Sequence, residues 1–314
     1  MPSHDLIPCI PPSWARSGHA QTIMGHLLPS PAFAASGKQL TIPLTGGDSL
    51  VAVYHEGAGN TVVYVFHGLS GDTDASYMGR TAAVCARLGY SVFLVNHRGA
   101  GLGYGLAHEP YHSGRAEDLS AALQFGRKLH PRKKHVAIGF SLSGNALLLL
   151  LSGRRGTTKP NAAIAVNAPI ALEKTSLALK TGLNRIYDLR FVHDCRAQIA
   201  NPAARKRVPR LATIRDFDAL YTAPASGFRD RDHYYATCST LGVLNEIQTP
   251  TVLLTAKDDP FIDYRDYLMA PLSPSVHLHV EESGGHMGYL SALKTPLGTR
   301  RWLDYALWHF LTRI

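Results

Sequence analysis

The chain has 314 residues, 45% of them apolar, and a formal net charge of +9. This composition supports a large buried core and excludes a disordered or low-complexity chain, while the longest apolar run, Ala146 to Leu151, is far too short to span a bilayer. A dense basic cluster stands at Arg205-Lys206-Arg207 with Arg210 nearby, without interleaved aromatic residues, which argues against nucleic acid. Two readings of that cluster stay open, a solvated helix face and weak peripheral contact with an anionic membrane.

The opening stretch MPSHDLIPCIPPSWARSGHA has neither a basic leader nor a continuous apolar segment. The expectation is a cytoplasmic protein whose mature chain starts at Met1. Cys9, Cys85, Cys195 and Cys238 are scattered with no metal-like spacing, which suits reduced thiols and no bound metal. Two strand-like runs, KQLTIPL and SLVAVYHE, come first and are joined by Gly46-Gly47-Asp48, which predicts an antiparallel hairpin.

The runs TVVYVF, SVFLVN, HVAIGF, AAIAVN, TVLLTA and VHLHVEE follow, and helical spacing separates several of them, as in TAAVCARLG, AEDLSAALQFGRKL and NALLLLLSG. Strands alternating with helices predict one α/β domain over 1–314, built on an eight-stranded, mostly parallel sheet with helices on both faces. Residues of about 168–249 lack a clear strand and are too long for a plain loop, so they read as an inserted helical cap. Within it SLALKTGLNRIYDLRF and DHYYATCSTLGVL have helical spacing, and TIRDFDALYTAP ends on Pro224 as a stop.

Between HVAIGF and ALLLLL lies Gly139-Phe140-Ser141-Leu142-Ser143-Gly144-Asn145. A strand turning sharply into a helix around a serine with small neighbours is a nucleophile elbow, because only a tight turn pushes the hydroxyl out above the strand ends. Ser141 is the favoured nucleophile. A second frame uses Ser143 but places Asn145 where little room is expected. A serine needs a histidine base, and the base needs an acid to fix its tautomer. His286, on the glycine-flanked loop GluSerGlyGlyHisMetGlyTyr after the last strand, fits the base. The strand TVLLTA leads into Lys257-Asp258-Asp259-Pro260, where Asp259 is favoured as the acid and Asp258 as a loop hydrogen-bonding residue. His67-Gly68-Leu69 follows TVVYVF, so the N–H groups of Leu69 and Leu142 are the expected oxyanion donors.

Gly99-Ala100-Gly101-Leu102-Gly103 with Asp118 imitates a dinucleotide fingerprint, but Glu109-Pro110 and Ser113-Gly114 interrupt the helix that such a site must open. No cofactor is expected. In the cap, Phe191, Tyr221, Phe228, Tyr234 and Tyr235 read equally well as walls of an acyl pocket or as packing of cap onto core.

The ordered segments PPSWARSGHAQTI, HGLSGD, NHRGAG, YHSGRAEDL, GFSLSGN, TIRDFDALYTAPASGF, DHYY, KDDPF and GGHMGY run across nearly the whole chain. By them the chain resembles the YheT-like branch of the α/β-hydrolases, related to eukaryotic abhydrolase-domain lipases and esterases. The resemblance implies the α/β-hydrolase fold, a triad on Ser141, Asp259 and His286, a small-molecule acyl ester as substrate and no cofactor. The family usually has glycine where Ser143 stands. The rival expectations are a non-catalytic binding protein of the same fold and a serine peptidase or amidase.

Overall fold

The computed structural model describes residues 6–30, 33 and 36–314; the expectation about Met1 lies outside these residues. Eight strands form one sheet in the order β1-β2-β4-β3-β5-β6-β7-β8. They are β1 (Lys38–Pro43), β2 (Ser49–His55), β3 (Thr61–Phe66), β4 (Ser91–Asn96), β5 (Lys134–Phe140), β6 (Ala162–Val166), β7 (Thr251–Ala256) and β8 (Val276–Glu281). As expected, β1 and β2 form an antiparallel hairpin, β2 also runs antiparallel to β4, and all remaining pairs are parallel.

The alternation of side chains along each strand divides the interior into two cores. Tyr64, Phe66, Phe93, Val95 and Ala137 belong to one core, whereas Val63, Val65, Leu94, Ile138 and Ile164 belong to the other. Both faces are apolar because both are covered, which explains the nearly continuous hydrophobic spelling of the parallel strands. Helix α1 (Gly18–Leu27) precedes the sheet, while α2 (Ser76–Arg87), α3 (Ala116–Leu129) and α4 (Leu142–Ser152) follow β3, β4 and β5. Every residue of α4 from Ser143 to Ser152 is buried, which is why that helix is apolar all round.

Between β6 and β7 lie α5 (Leu172–Ala178), α6 (Arg185–Gln198), α7 (Pro202–Arg207), α8 (Ile214–Phe217), α9 (Ala223–Ala225) and α10 (Arg231–Cys238). The run SLALKTGLNRIYDLRF is two helices rather than one, broken where Gly182 takes φ 51°. A π-turn over Asp218–Thr222 joins α8 to α9, so the helical path passes Pro224 and ends a residue later. Helix α10 stops at Cys238, because the N–H groups of Thr240 and Leu241 both turn to the Ile170 carbonyl. On α7, Arg205 donates to the Ile199 carbonyl and to the Tyr104 hydroxyl, while Lys206 and Arg207 are exposed.

The chain closes with α11 (Tyr264–Met269), β8 and α12 (Trp302–Leu311). The four cysteines are all unpaired and buried. Among the described residues no helix is long and apolar enough to cross a membrane.

Helix α1 seats on the loop that follows β8 through glycines on both sides, since a Cβ on Gly25 would lie 2.5 Å from the Gly288 Cα. Replacing Gly25 by alanine gains about 1 kcal/mol of helix propensity. The atom it strikes is backbone and cannot rotate away. Gly25→Ala should therefore destabilise the fold by about 1–2 kcal/mol net, as overpacked sites do, seen as a lower urea midpoint at an unchanged m-value.

Candidate active site

Ser141 is held at φ 51°, ψ −120° between the end of β5 and the start of α4. A non-glycine residue at positive φ costs free energy, so its surroundings must fix it there. Its N–H donates to the Val166 carbonyl at 2.8 Å and its carbonyl accepts from the Gly144 N–H at 2.8 Å. The small neighbours are required by contact: a Cβ at Gly139 would lie 2.6 Å from the Ser143 carbonyl oxygen, and one at Gly144 would lie 2.8 Å from the Ala168 Cβ.

Ser141 Oγ is 2.9 Å from His286 Nε2, and His286 Nδ1 is 2.8 Å from Asp259 Oδ2. The Asp259 side chain is fully buried. Its Oδ1 accepts from the N–H groups of Phe261 (3.1 Å) and Ile262 (3.0 Å), and its Oδ2 accepts from Asn167 Nδ2 at 2.7 Å. Asp258 turns the other way and accepts from Ser283 Oγ and from the N–H groups of Gly284 and Gly285, at 2.8–2.9 Å. One aspartate faces the imidazole and its neighbour pins the loop that carries it.

Residues to which the sequence assigned no role complete this arrangement. The His286 N–H donates to Thr22 Oγ1 at 2.8 Å, and Gln21 bridges α1 to Leu290 through both its amide groups. Asn167, at φ 47°, also accepts from the Tyr289 hydroxyl at 2.9 Å. The run SGHAQTI was legible only as part of a resemblance, because nothing in its spelling announces contact with a loop more than 260 residues away.

Ser143 is completely buried, which removes it from reach of a substrate. Its hydroxyl donates to the His67 carbonyl, so its lone pairs must receive the other two partners, His97 Nε2 at 2.6 Å and the Tyr111 hydroxyl at 2.8 Å. That assigns the His97 proton to Nε2. Burial holds His97 well below the ordinary histidine value and therefore neutral, and its ring stacks on Tyr111 with centroids 3.8 Å apart. The extra hydroxyl thus finds a polar niche that ties α4 to the end of β3. The Leu69 loop begins two residues beyond His67, and a Cβ on Gly68 would lie 3.1 Å from the Ser141 Cβ. Neither the Leu69 N–H nor the Leu142 N–H has an acceptor among the described residues.

Arg98 and Asp118 form a buried bidentate pair at 2.7 and 2.9 Å, with Asp48 also on the guanidinium. The carboxylate that imitated a dinucleotide fingerprint is consumed by the arginine in the segment NHRGAG. Among the described residues no group of three or more His, Cys, Asp or Glu is placed to hold a metal ion.

Two cavities meet at Ser141. The first, about 430 Å³, lies beneath α5, α6 and the α8–α9 segment, and the second, about 350 Å³, opens between α1 and α6. Of the five aromatic residues noted in the sequence, Phe191, Tyr221, Tyr234 and Tyr235 line the first cavity. Phe228 instead packs against His112 and Tyr234.

These features fit the comparisons with known proteins. The α/β hydrolase fold model matches residues 61–293. YheT from Escherichia coli is 32% identical over 79% of this chain and 75% of its own length. The monoacylglycerol lipase of Saccharomyces cerevisiae is 26% identical over 80% of this chain, which spans 58% of that protein. Among solved structures, an esterase from Pyrococcus furiosus superposes with a TM-score of 0.63 at 18% identity, covering 92% of this chain and 96% of the other, a likeness of fold alone. The chain belongs to the α/β-hydrolase fold family and, within it, to the branch represented by YheT.

Asp218, on the π-turn, lines the first cavity, and the Tyr235 hydroxyl donates to it at 2.7 Å. Burial pushes its carboxyl up from 3.8 to about 6, against the Thr222 and Tyr235 hydroxyls, which favour the charged form. The folded chain therefore keeps this proton between about pH 4 and pH 6, where the unfolded chain has released it. The stability it contributes is full below that window and is lost as pH rises through about 6. Asp218→Asn cannot ionise, so between those limits it should lose less stability than the parent, by up to about 3 kcal/mol. Urea titrations of both proteins across the window measure the difference.

Proposed function

We propose that this protein is a carboxylic ester hydrolase that works through an acyl-enzyme on Ser141, with residues 168–249 as a cap over the site of a single α/β-hydrolase domain. The observation that carries the reading is the continuous hydrogen-bonded path Ser141–His286–Asp259 at the junction of two cavities. The monoacylglycerol lipase among its relatives points to the same substrate class.

In this mechanism His286 Nε2 accepts the Ser141 proton as Oγ attacks the ester carbonyl. Asp259, ringed by donors from Phe261, Ile262 and Asn167, keeps the other ring proton on Nδ1 and stabilises the imidazolium. The carbonyl oxygen becomes an oxyanion within reach of the Leu69 and Leu142 N–H groups, each worth about 3 kcal/mol to the transition state. His286 then returns the proton to the departing alcohol, and water repeats the sequence on the acyl-enzyme. A non-catalytic binding role would leave this strained serine and its relay without use.

Ser141 should be the single serine modified by a fluorophosphonate, as peptide mapping would show, and Ser141→Ala should abolish both labelling and ester turnover. Labelling at Ser143 with Ser141 untouched would refute the assignment. The paired aspartates separate by role: Asp259→Asn should lower kcat about 10⁴-fold through the wrong tautomer, while Asp258→Asn should chiefly lower the melting temperature. Steady-state kinetics and thermal melts on both variants test this.

A further inference from the structure

The two cavities share Ser141, Leu69, Phe191 and Phe261, but they differ in one respect that decides how an ester must lie. His286 lines only the second cavity, and Leu142 only the first. In the tetrahedral intermediate the carbon carries Ser141 Oγ, the oxyanion, the acyl chain and the alkoxy group. Collapse breaks the carbon–alkoxy bond, and the proton on His286 Nε2 passes to the departing alkoxy oxygen, so that oxygen must lie beside the imidazole. With the oxyanion directed at Leu69 and Leu142, the remaining direction leads under the cap.

We infer, building on the esterase reading above, that the second cavity is an alcohol-binding subsite for a sizeable apolar alcohol and that the first cavity takes the acyl chain. The walls of the second cavity support the ligand class. Ile23, Leu27 and Ile186 stand exposed around its opening, and Tyr187 and Met287 line it further. Exposed large apolar side chains gathered at one opening mark a ligand surface rather than ordinary solvent contact. Its charged groups are already engaged: Arg80 pairs with Asp304 at 3.0 Å, and Arg190 pairs with Asp194 at 3.5 Å. A volume of about 350 Å³ is wasted on methanol or ethanol but suits an alkyl or aryl alcohol of several carbons. The substrate class is therefore an ester with substantial apolar groups on both sides of the scissile bond.

The test uses two ester series, one lengthening the acyl chain on ethanol and one lengthening the alcohol on a fixed hexanoate. Ile23→Trp and, as a second variant, Ile186→Trp narrow the second cavity at exposed positions that the fold tolerates. Thr175→Trp, at a half-buried position, narrows the first. Each tryptophan should lower kcat/KM for the long members of one series by about tenfold or more, with the short members and the rate of labelling by a small fluorophosphonate unchanged. Ile23→Trp and Ile186→Trp should act on the alcohol series, and Thr175→Trp on the acyl series. The reverse pattern overturns the orientation. Loss in both series alike, with melting temperature and labelling rate preserved, or no length preference in either, overturns the two-subsite proposal. Failure of the esterase reading is separate: the parent protein would turn over no ester in either series and Ser141 would resist the phosphonate.

Discussion

The strained backbone at Ser141 is the constraint on which the rest of the molecule depends. A serine at φ 51° returns to an ordinary conformation unless its neighbours prevent it. Here β6 grips its N–H, the first turn of α4 grips its carbonyl, and the absence of side chains at Gly139 and Gly144 lets strand, helix and Ala168 approach closely. The burial of α4 on all sides then makes the turn rigid, because any relaxation of Ser141 would drag an apolar helix out of the core.

The imidazole is positioned with comparable redundancy but by distant parts of the chain. Its backbone is fixed by Thr22 from α1, and the preceding glycines are fixed by Asp258; its ring is fixed by Asp259, which Asn167 holds from the end of β6. Phe261 packs against the ring with centroids 4.3 Å apart, leaving little freedom for rotation. The N-terminal helix thus behaves as part of the site. Its glycine contacts with the histidine loop have the close-approach geometry seen at the elbow.

Ser143 shows how a departure from a family's usual spelling is absorbed. A hydroxyl in a crowded elbow would be costly if left without partners. With His67, His97 and Tyr111 around it, the hydroxyl instead links α4 to the strand that leads into the Leu69 loop. The neutrality of His97 follows from its burial and keeps the network free of an uncompensated charge.

Much of this was legible in the sequence, because strands buried on both faces must be spelled with continuous apolar runs and a tight elbow must be spelled with small residues. The eight strands, the initial hairpin, the buried α4 and the segments bearing Ser141, Asp259 and His286 all follow from such local demands. What the sequence left open were choices settled by contacts between remote segments. Asp258 and Asp259 have identical side chains and adjacent positions, so only the fold decides which one meets the imidazole. Phe228 and Tyr235 are both aromatic residues of the segment between β6 and β7, yet only the latter faces the first cavity. The break in SLALKTGLNRIYDLRF falls at Gly182, ahead of α6, whose Phe191 and Cys195 line the first cavity. The seating of α1 against the histidine loop, and the meeting of two cavities at Ser141, arise from packing between residues far apart in the chain, and periodicity carries no record of them.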